Sequence, residues 1–288
     1  MERAIIHEVF PIVLSGITGN VAHHTLLYRS GRLLGGLLLV AGESVLAQPV
    51  IDDISTIAAP AYTFPGELPP AQARYRVVVN GIPVGMDATI TLTPHPKGYQ
   101  LQFQAENRFF RHQEVAIFDW NNCTARPHHY RHASAGFGIK REGEIEFDWD
   151  AGQANGSKAV YPLADDALDA LSVAMMARCN MARAEQSFEY AVAEPDGMDT
   201  YQYRFMEAET LETPAGKWQT VSVERDYPER GRRSRFWAAR ELEYFMVRMD
   251  HQENPFIRGR IELTEFRYLS GEEIPSPDRQ SGSTVTSR

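Results

Sequence analysis

Apolar and polar residues alternate through much of the middle of the chain, with the period of a strand. In Tyr99-Gln100-Leu101-Gln102-Phe103-Gln104-Ala105-Glu106 every second residue is apolar, as in a sheet with one dry and one wet face. Runs of the same character occupy Tyr75–Asn80, Thr89–Thr93, Ile145–Trp149, Phe188–Val192, Tyr201–Met206, Trp218–Glu224, Tyr244–Met249 and Ile257–Tyr268. Asn80-Gly81 and Pro214-Ala215-Gly216 fall between such runs and suit tight hairpin turns, so the sheet is expected to be mainly antiparallel. One segment has a different period. Leu163–Ala184 is built of strong helix formers, with Leu168, Leu171, Met175, Met176 and Cys179 at helical spacing, and Asp165 and Asp166 stand where a helix start favours carboxylates. The pattern predicts a mostly β domain of about ten strands. Its one α-helix packs its apolar stripe against the concave face of the sheet.

The two ends read differently. From Arg29 the chain runs RSGRLLGGLLLVAGESVLAQPV, the basic, apolar and small-residue order of a secretory signal, with cleavage expected between Ala47 and Gln48. The apolar run Leu33–Ala41 is well short of the roughly 20 residues a spanning helix needs, so no stable membrane span is expected after processing. Residues 1–28 are long and mixed for the start of a signal, and an upstream start codon accounts for them most simply. Residues 1–47 are therefore set aside from the fold, 48–72 read as a Pro-rich lead-in, 73–270 as a single β-rich domain, and 271–288 as a disordered tail of Ser, Pro, Gly, Thr and charge.

Composition narrows the function. The formal net charge is −9, which excludes a nucleic-acid partner, since phosphate backbones need a basic face. The chain has 43% hydrophobic and 23% charged residues, ordinary values for a globular protein with a real core. Its two cysteines, Cys123 and Cys179, form either a disulfide in an oxidising compartment or two separate buried thiols.

Candidate chemistry is sparse. In His128-His129-Tyr130-Arg131-His132, a strand would turn His128, Tyr130 and His132 to one face, yet no zinc-ligand motif surrounds them. A solvated or core-edge cluster is the plainer reading, and His112 could join it only through the fold. Ser172 lacks a Gly-x-Ser-x-Gly elbow, and Gly136 and Gly138 are not followed by a helix that could cradle phosphate. Neither a catalytic residue, a metal site nor a cofactor is predicted. The basic run Arg225, Arg230, Arg232, Arg233 and Arg235 surrounds Pro228 and Gly231, as in an exposed hairpin. Such a hairpin is a solvated turn or a contact for anionic envelope glycans or lipid headgroups, because clustered arginines bind phosphate and carboxylate in a bidentate manner. Most of the aromatic residues must be core. Those left on a groove would line a ligand site, for which Tyr130, Trp218 and Trp237 are candidates beside Arg233 and Arg235.

The order of segments resembles the family called domain of unknown function 3108, found in envelope proteins of Gram-negative bacteria. The residues that carry the resemblance are Tyr75–Gly85 as an opening hairpin, Asp166–Ser172 as a short helix start, and Tyr203–Val223 with Glu209 and Thr213-Pro214-Ala215-Gly216. Arg235–Ala239 followed by Tyr244–Met249 resembles its closing pair of strands, although Phe245-Met246-Val247 departs from the expected Leu-Pro-Val step. The resemblance implies a curled antiparallel sheet or half-open β-barrel with a helix near its cavity, and it implies no reaction. The leading expectation is a non-enzymatic periplasmic protein that binds a lipid-like or amphipathic envelope component in the concavity. Its rivals are a ligand-free interaction scaffold and a hydrolase with a site around His128 and His132. An open apolar cavity on the order of several hundred Å³ favours carriage, and a filled core favours the scaffold.

Overall fold

The computed structural model describes residues 67–136, 138–227 and 232–269. The expected cleavage step at Ala47 and Gln48, most of the lead-in and the C-terminal tail lie outside them. The first strands form a meander: β1 (Ala71–Val79), β2 (Ile82–His95), β3 (Gly98–Glu106), β4 (Phe110–Trp120), β5 (Ala125–Gly136), β6 (Ile139–Asp148), β7 (Gln153–Gly156) and β8 (Val160–Pro162). Helix α1 (Ser172–Ala182) follows, then β9 (Ser187–Glu194), β10 (Gly197–Thr213), β11 (Gly216–Tyr227), β12 (Arg232–Ala239), a short 3-10 turn (Arg240–Leu242), β13 (Phe245–Asn254) and β14 (Ile257–Tyr268).

All these strands join one sheet in the order β8-β7-β6-β5-β4-β3-β2-β1-β14-β13-β12-β11-β10-β9, and the neighbouring pairs are antiparallel. From β1 at the middle of the sheet the chain meanders out to β8, crosses through α1 to the far edge at β9, and meanders back until β14 pairs with β1. The sheet is mostly β and antiparallel but does not close into a barrel. Its edges still meet at one point, where the Lys158 and Ala159 amides donate to the Pro195 carbonyl at 3.0 and 3.2 Å.

The turns follow from residue type. Asn80 and Gly81 have φ of 48° and 84°, the left-handed pair that a two-residue hairpin needs and that Asn-Gly supplies most cheaply. The β10–β11 hairpin turns at Pro214-Ala215, closing on the Thr213↔Gly216 pair. The first strand begins at Ala71, inside the expected lead-in, and Leu68 is already buried.

The helix is shorter than the sequence predicts. Its first regular residue is Ser172, not Leu163, because residues before it serve the open edge of the sheet instead. The Leu168 amide donates to Ala191 at 2.9 Å and its carbonyl accepts from Ala193 at 2.8 Å, which covers part of an edge that would otherwise offer unpaired groups. Asp165 and Asp166 stay exposed. The carboxylate at the helix start is Asp169, whose Oδ1 accepts the amides of Leu171 and Ser172 at 2.8 and 2.9 Å. Helix α1 lies against β5, β9 and β11. Cys179 on the helix is bonded to Cys123 in the β4–β5 turn, with the Cα atoms 6.0 Å apart. Arg178 adds a second tie, donating from Nε to the Glu243 carbonyl at 3.0 Å.

Candidate functional site

Beneath α1 the sheet leaves a cavity of about 160 Å³. Apolar residues from the helix, Val173, Met175 and Ala177, face Ile90, Phe103, Phe236 and Met249 across it. Ala174 lines it while exposed to solvent, which marks the mouth. The volume falls below the several hundred Å³ expected of a carrier, and it is too small for a whole lipid. It matches the engineered core cavities of about 150 Å³ that stay dry and bind benzene-sized molecules.

Beside the apolar lining, the interior holds polar side chains that satisfy one another. His112 Nδ1 lies 2.7 Å from Ser134 Oγ and its Nε2 lies 2.9 Å from Glu114 Oε1, while the Tyr130 hydroxyl donates to Glu114 Oε2 at 2.8 Å. The same arrangement recurs on β12 and β13, where His251 bridges Ser234 Oγ at 2.8 Å and Glu253 Oε2 at 3.3 Å. Both histidines belong to a His-Gln-Glu triplet, His112–Glu114 and His251–Glu253, and both serines sit directly across an antiparallel pair from the histidine. The first set has the membership of a hydrolytic triad. Yet Ser134 is buried and neither it nor His112 lines the cavity, so a substrate has no described route to the hydroxyl. These sets act as buried hydrogen-bond clamps between strands.

Two interior carboxyls are held away from their usual range. Burial raises Asp169 to about 6, and the nearby Glu114 charge adds to it against the hydrogen bonds at the helix start. Burial likewise raises Glu194 to about 7, with Asp199 and Asp196 adding and the Tyr201 hydrogen bond opposing. The Tyr130 hydroxyl is pushed well above its ordinary value by burial and by Glu114.

On the opposite face of β12, β13 and β14 lies a polar groove of about 790 Å³. Register builds it in rows. Arg235 on β12 stands opposite Asp250 on β13, itself opposite Arg260 on β14; the next row is Arg233, Gln252 and Arg258, and the third is Trp237, Arg248 and Glu262. Asp250 accepts from Arg248 at 2.8 and 2.6 Å and from Arg260 at 2.8 and 2.9 Å. Burial alone would raise its carboxyl, but these charge-assisted bonds outweigh it and hold it below the usual range. One carboxylate thus serves two guanidinium groups. The Trp237 ring lies between Arg235 and Arg248, whose guanidinium carbons are 4.6 and 4.7 Å from its centre, and its Nε1 donates to Glu209 at 2.6 Å. Trp237 stands at the β12–β13 bulge and lines both the groove and the interior cavity.

The residues singled out from sequence divide between these places. Arg233, Arg235 and Trp237 come together on the groove. Tyr130 is 1% exposed and bound to Glu114, and Trp218 is 4% exposed with its Nε1 donating to Thr213 Oγ1 at 3.0 Å; neither lines the cavity or the groove. Arg225 turns inward, its guanidinium 3.2 Å over the Tyr201 ring. His128 and His132 do not share a face, because the irregularity opposite Ile117/Phe118 displaces His128. His128 pairs with Asp119 at 2.7 Å and His132 is buried. The histidine that meets carboxylates is His129, 2.7 Å from Glu144 and 3.6 Å from Glu146; both acids are exposed, and the group shows no further feature of a metal site. Arg248, Arg258 and Arg260 carry no signal of the groove in the sequence, since only the register brings them beside Arg233 and Arg235.

Among the described residues no helix is long and apolar enough to cross a membrane. Among solved structures, a beta-barrel-like protein of domain of unknown function DUF1849 from Brucella abortus matches with a TM-score of 0.48 and 11% identity, covering 70% of this chain and 98% of that one. A protein with a YmcC-like fold from Bacteroides fragilis matches with a TM-score of 0.29 and 12% identity, covering 72% and 99%. None of the curated proteins matches. The family model described as protein of unknown function DUF3108 matches residues 74–263, nearly the whole described sheet, and the chain therefore belongs to the DUF3108 family.

Proposed function

We propose that this protein is an exported, non-enzymatic envelope protein that binds the apolar end of a small amphipathic molecule in the cavity under α1. The observation that carries this reading is the cavity itself: about 160 Å³, with an almost wholly apolar wall and a mouth at Ala174. Apolar concavities with few polar groups are the usual form of small-ligand sites. Its size supports a short acyl chain or a ring rather than a whole lipid. The Cys123–Cys179 bond and the arginine-flanked apolar segment at Leu33–Ala41 support export to an oxidising compartment.

Trp237 reports on the cavity wall. Titration with octanoate is expected to change tryptophan fluorescence saturably in the parent protein, and Trp237→Phe is expected to lose most of that change. Absence of a saturable response to octanoate or to an aromatic probe such as benzene would leave the sheet as a scaffold.

A further inference from the structure

An antiparallel meander puts alternate turns at the same rim of the sheet. The β3–β4, β1–β2 and β13–β14 turns are neighbours there, because the sheet runs β4-β3-β2-β1-β14-β13. Across the sheet successive tips are two strand spacings, about 10 Å, apart, and β2 runs on past the end of β3 from Asp87 to Ile82, so the β1–β2 tip projects beyond the β3–β4 tip. Each holds a large apolar side chain out of the fold: Phe109 is 55% exposed, Ile82 67% and Phe256 85%.

Single exposed hydrophobic residues need no explanation, but two of these are presented by one local device used twice. Asn107 Oδ1 accepts the amides of Phe109 and Phe110 at 2.8 and 2.9 Å. Asn254 Oδ1 accepts those of Phe256 and Ile257 at 2.9 and 3.1 Å. Both segments read Asn-x-Phe-apolar-Arg, as Asn107-Arg108-Phe109-Phe110-Arg111 and Asn254-Pro255-Phe256-Ile257-Arg258. The side-chain turn fixes the backbone locally while the phenylalanine stays in water. The third tip is tied to the second, since Asn80 Nδ2 donates to the Phe256 carbonyl at 3.1 Å and Asn80 Oδ1 accepts the Arg258 amide at 2.9 Å.

Positive charge accompanies these tips. The Arg108 guanidinium lies 4.3 Å from the Phe109 ring centre. Asn80, Phe256 and Arg258 border the arginine groove, and Arg233 stands in the same row, bonded to the neutral Gln252 at 3.2 Å. Among the described residues no carboxylate pairs with Arg108 or Arg258, whereas Arg76, Arg235, Arg248 and Arg260 all have acidic partners. In a chain of net charge −9, such a rim is the part that a negative surface attracts while the remainder is repelled.

We propose that this rim docks on the surface of an anionic phospholipid bilayer. Phe109, Ile82 and Phe256 enter the boundary between headgroups and acyl chains, and Arg108, Arg233 and Arg258 meet the lipid phosphates. The docking is independent of the ligand cavity.

Co-sedimentation with vesicles tests it. The full chain is expected to bind phosphatidylglycerol–phosphatidylcholine vesicles, to ignore pure phosphatidylcholine, and to be released by high salt. Arg108→Gln, Arg233→Gln and Arg258→Gln should each weaken binding about fivefold, and Phe109→Ser and Phe256→Ser about tenfold each. Val160→Ser, on an equally exposed residue of the edge strand β8, should change nothing. Equal binding to neutral and anionic vesicles, or no binding to either by protein whose near-ultraviolet circular dichroism is native, would overturn the proposal. Binding of inorganic pyrophosphate without vesicle binding would do so as well, by making the groove a site for small anions. An Ala174→Trp variant, which fills the cavity mouth, should dock as the parent does, so failure of docking and failure of the cavity reading are separable.

Discussion

The interior carboxyl of Glu194 makes the stability of the fold depend on pH. Its folded-state value is about 7 against an ordinary 4.5, chiefly because it is buried. Below the ordinary value the carboxyl is protonated in both the folded and unfolded chain and costs nothing. As pH rises towards 7 the unfolded chain ionises first, so stability falls by about 1.4 kcal/mol per unit. The loss levels off above the folded value at roughly 3 kcal/mol. Glu194→Gln keeps an oxygen to accept from the Tyr201 hydroxyl, which donates to Oε1 at 3.0 Å in the parent, and removes the charge. The variant should match the parent near pH 4 and exceed it by about 3 kcal/mol near pH 8. Urea melts at a series of pH values read this directly, provided the transition stays two-state. Asp250 does not confuse the result, since its lowered value confines its contribution to losses at lower pH. A variant with the same pH slope as the parent would place Glu194 in contact with water and remove burial as the cause of the slope.

Other outcomes follow from the packing. Replacing Cys123 or Cys179 by Ser should cost about 4 kcal/mol by the loop-entropy estimate, and thiol titration of the denatured, non-reduced parent should find no free thiol. Trp218→Ala should cost about 3–5 kcal/mol in denaturant melts, as for other large-to-small core changes, because Trp218 is buried in its hairpin rather than on a groove. Gly143→Ala should destabilise by more than 1 kcal/mol (roughly, as for overpacking), because an added Cβ would collide with the His132 ring and the Pro195 ring; a neutral result would mean that His132 swings aside freely.

Where sequence pattern predicts structure well, the dry face is apolar. Strand β3 shows this, with Leu101 and Ala105 buried and Gln104 and Glu106 exposed. Strands β4 and β5 are legible only in part for the opposite reason. Their inward positions include His112, Glu114, His132 and Ser134, whose burial is tolerable only once His112 meets Glu114 and Ser134 across the pair. No periodicity of hydrophobic residues can reveal that. The helix start is misplaced because Leu163–Leu171 has helical propensity that the need to cover β9 overrides. Part of the groove is legible, since Arg233, Arg235 and Trp237 alternate on one strand. Its other arginines come from strands that only the register aligns. The two Asn-x-Phe-apolar-Arg segments and the two His-Gln-Glu triplets are visible as repeated strings, but their shared roles emerge from the turn and pairing geometry alone.

If the cavity under α1 holds the apolar end of an amphipathic molecule, native mass spectrometry of the protein taken from the producing cell will find that molecule. The parent is expected to carry one small amphiphile per chain, released on denaturation, while Ala174→Trp purified in the same way is expected to carry none and to melt no earlier. Parent protein that carries no bound molecule and takes up no octanoate when exposed to it would mean that the cavity is not a ligand site.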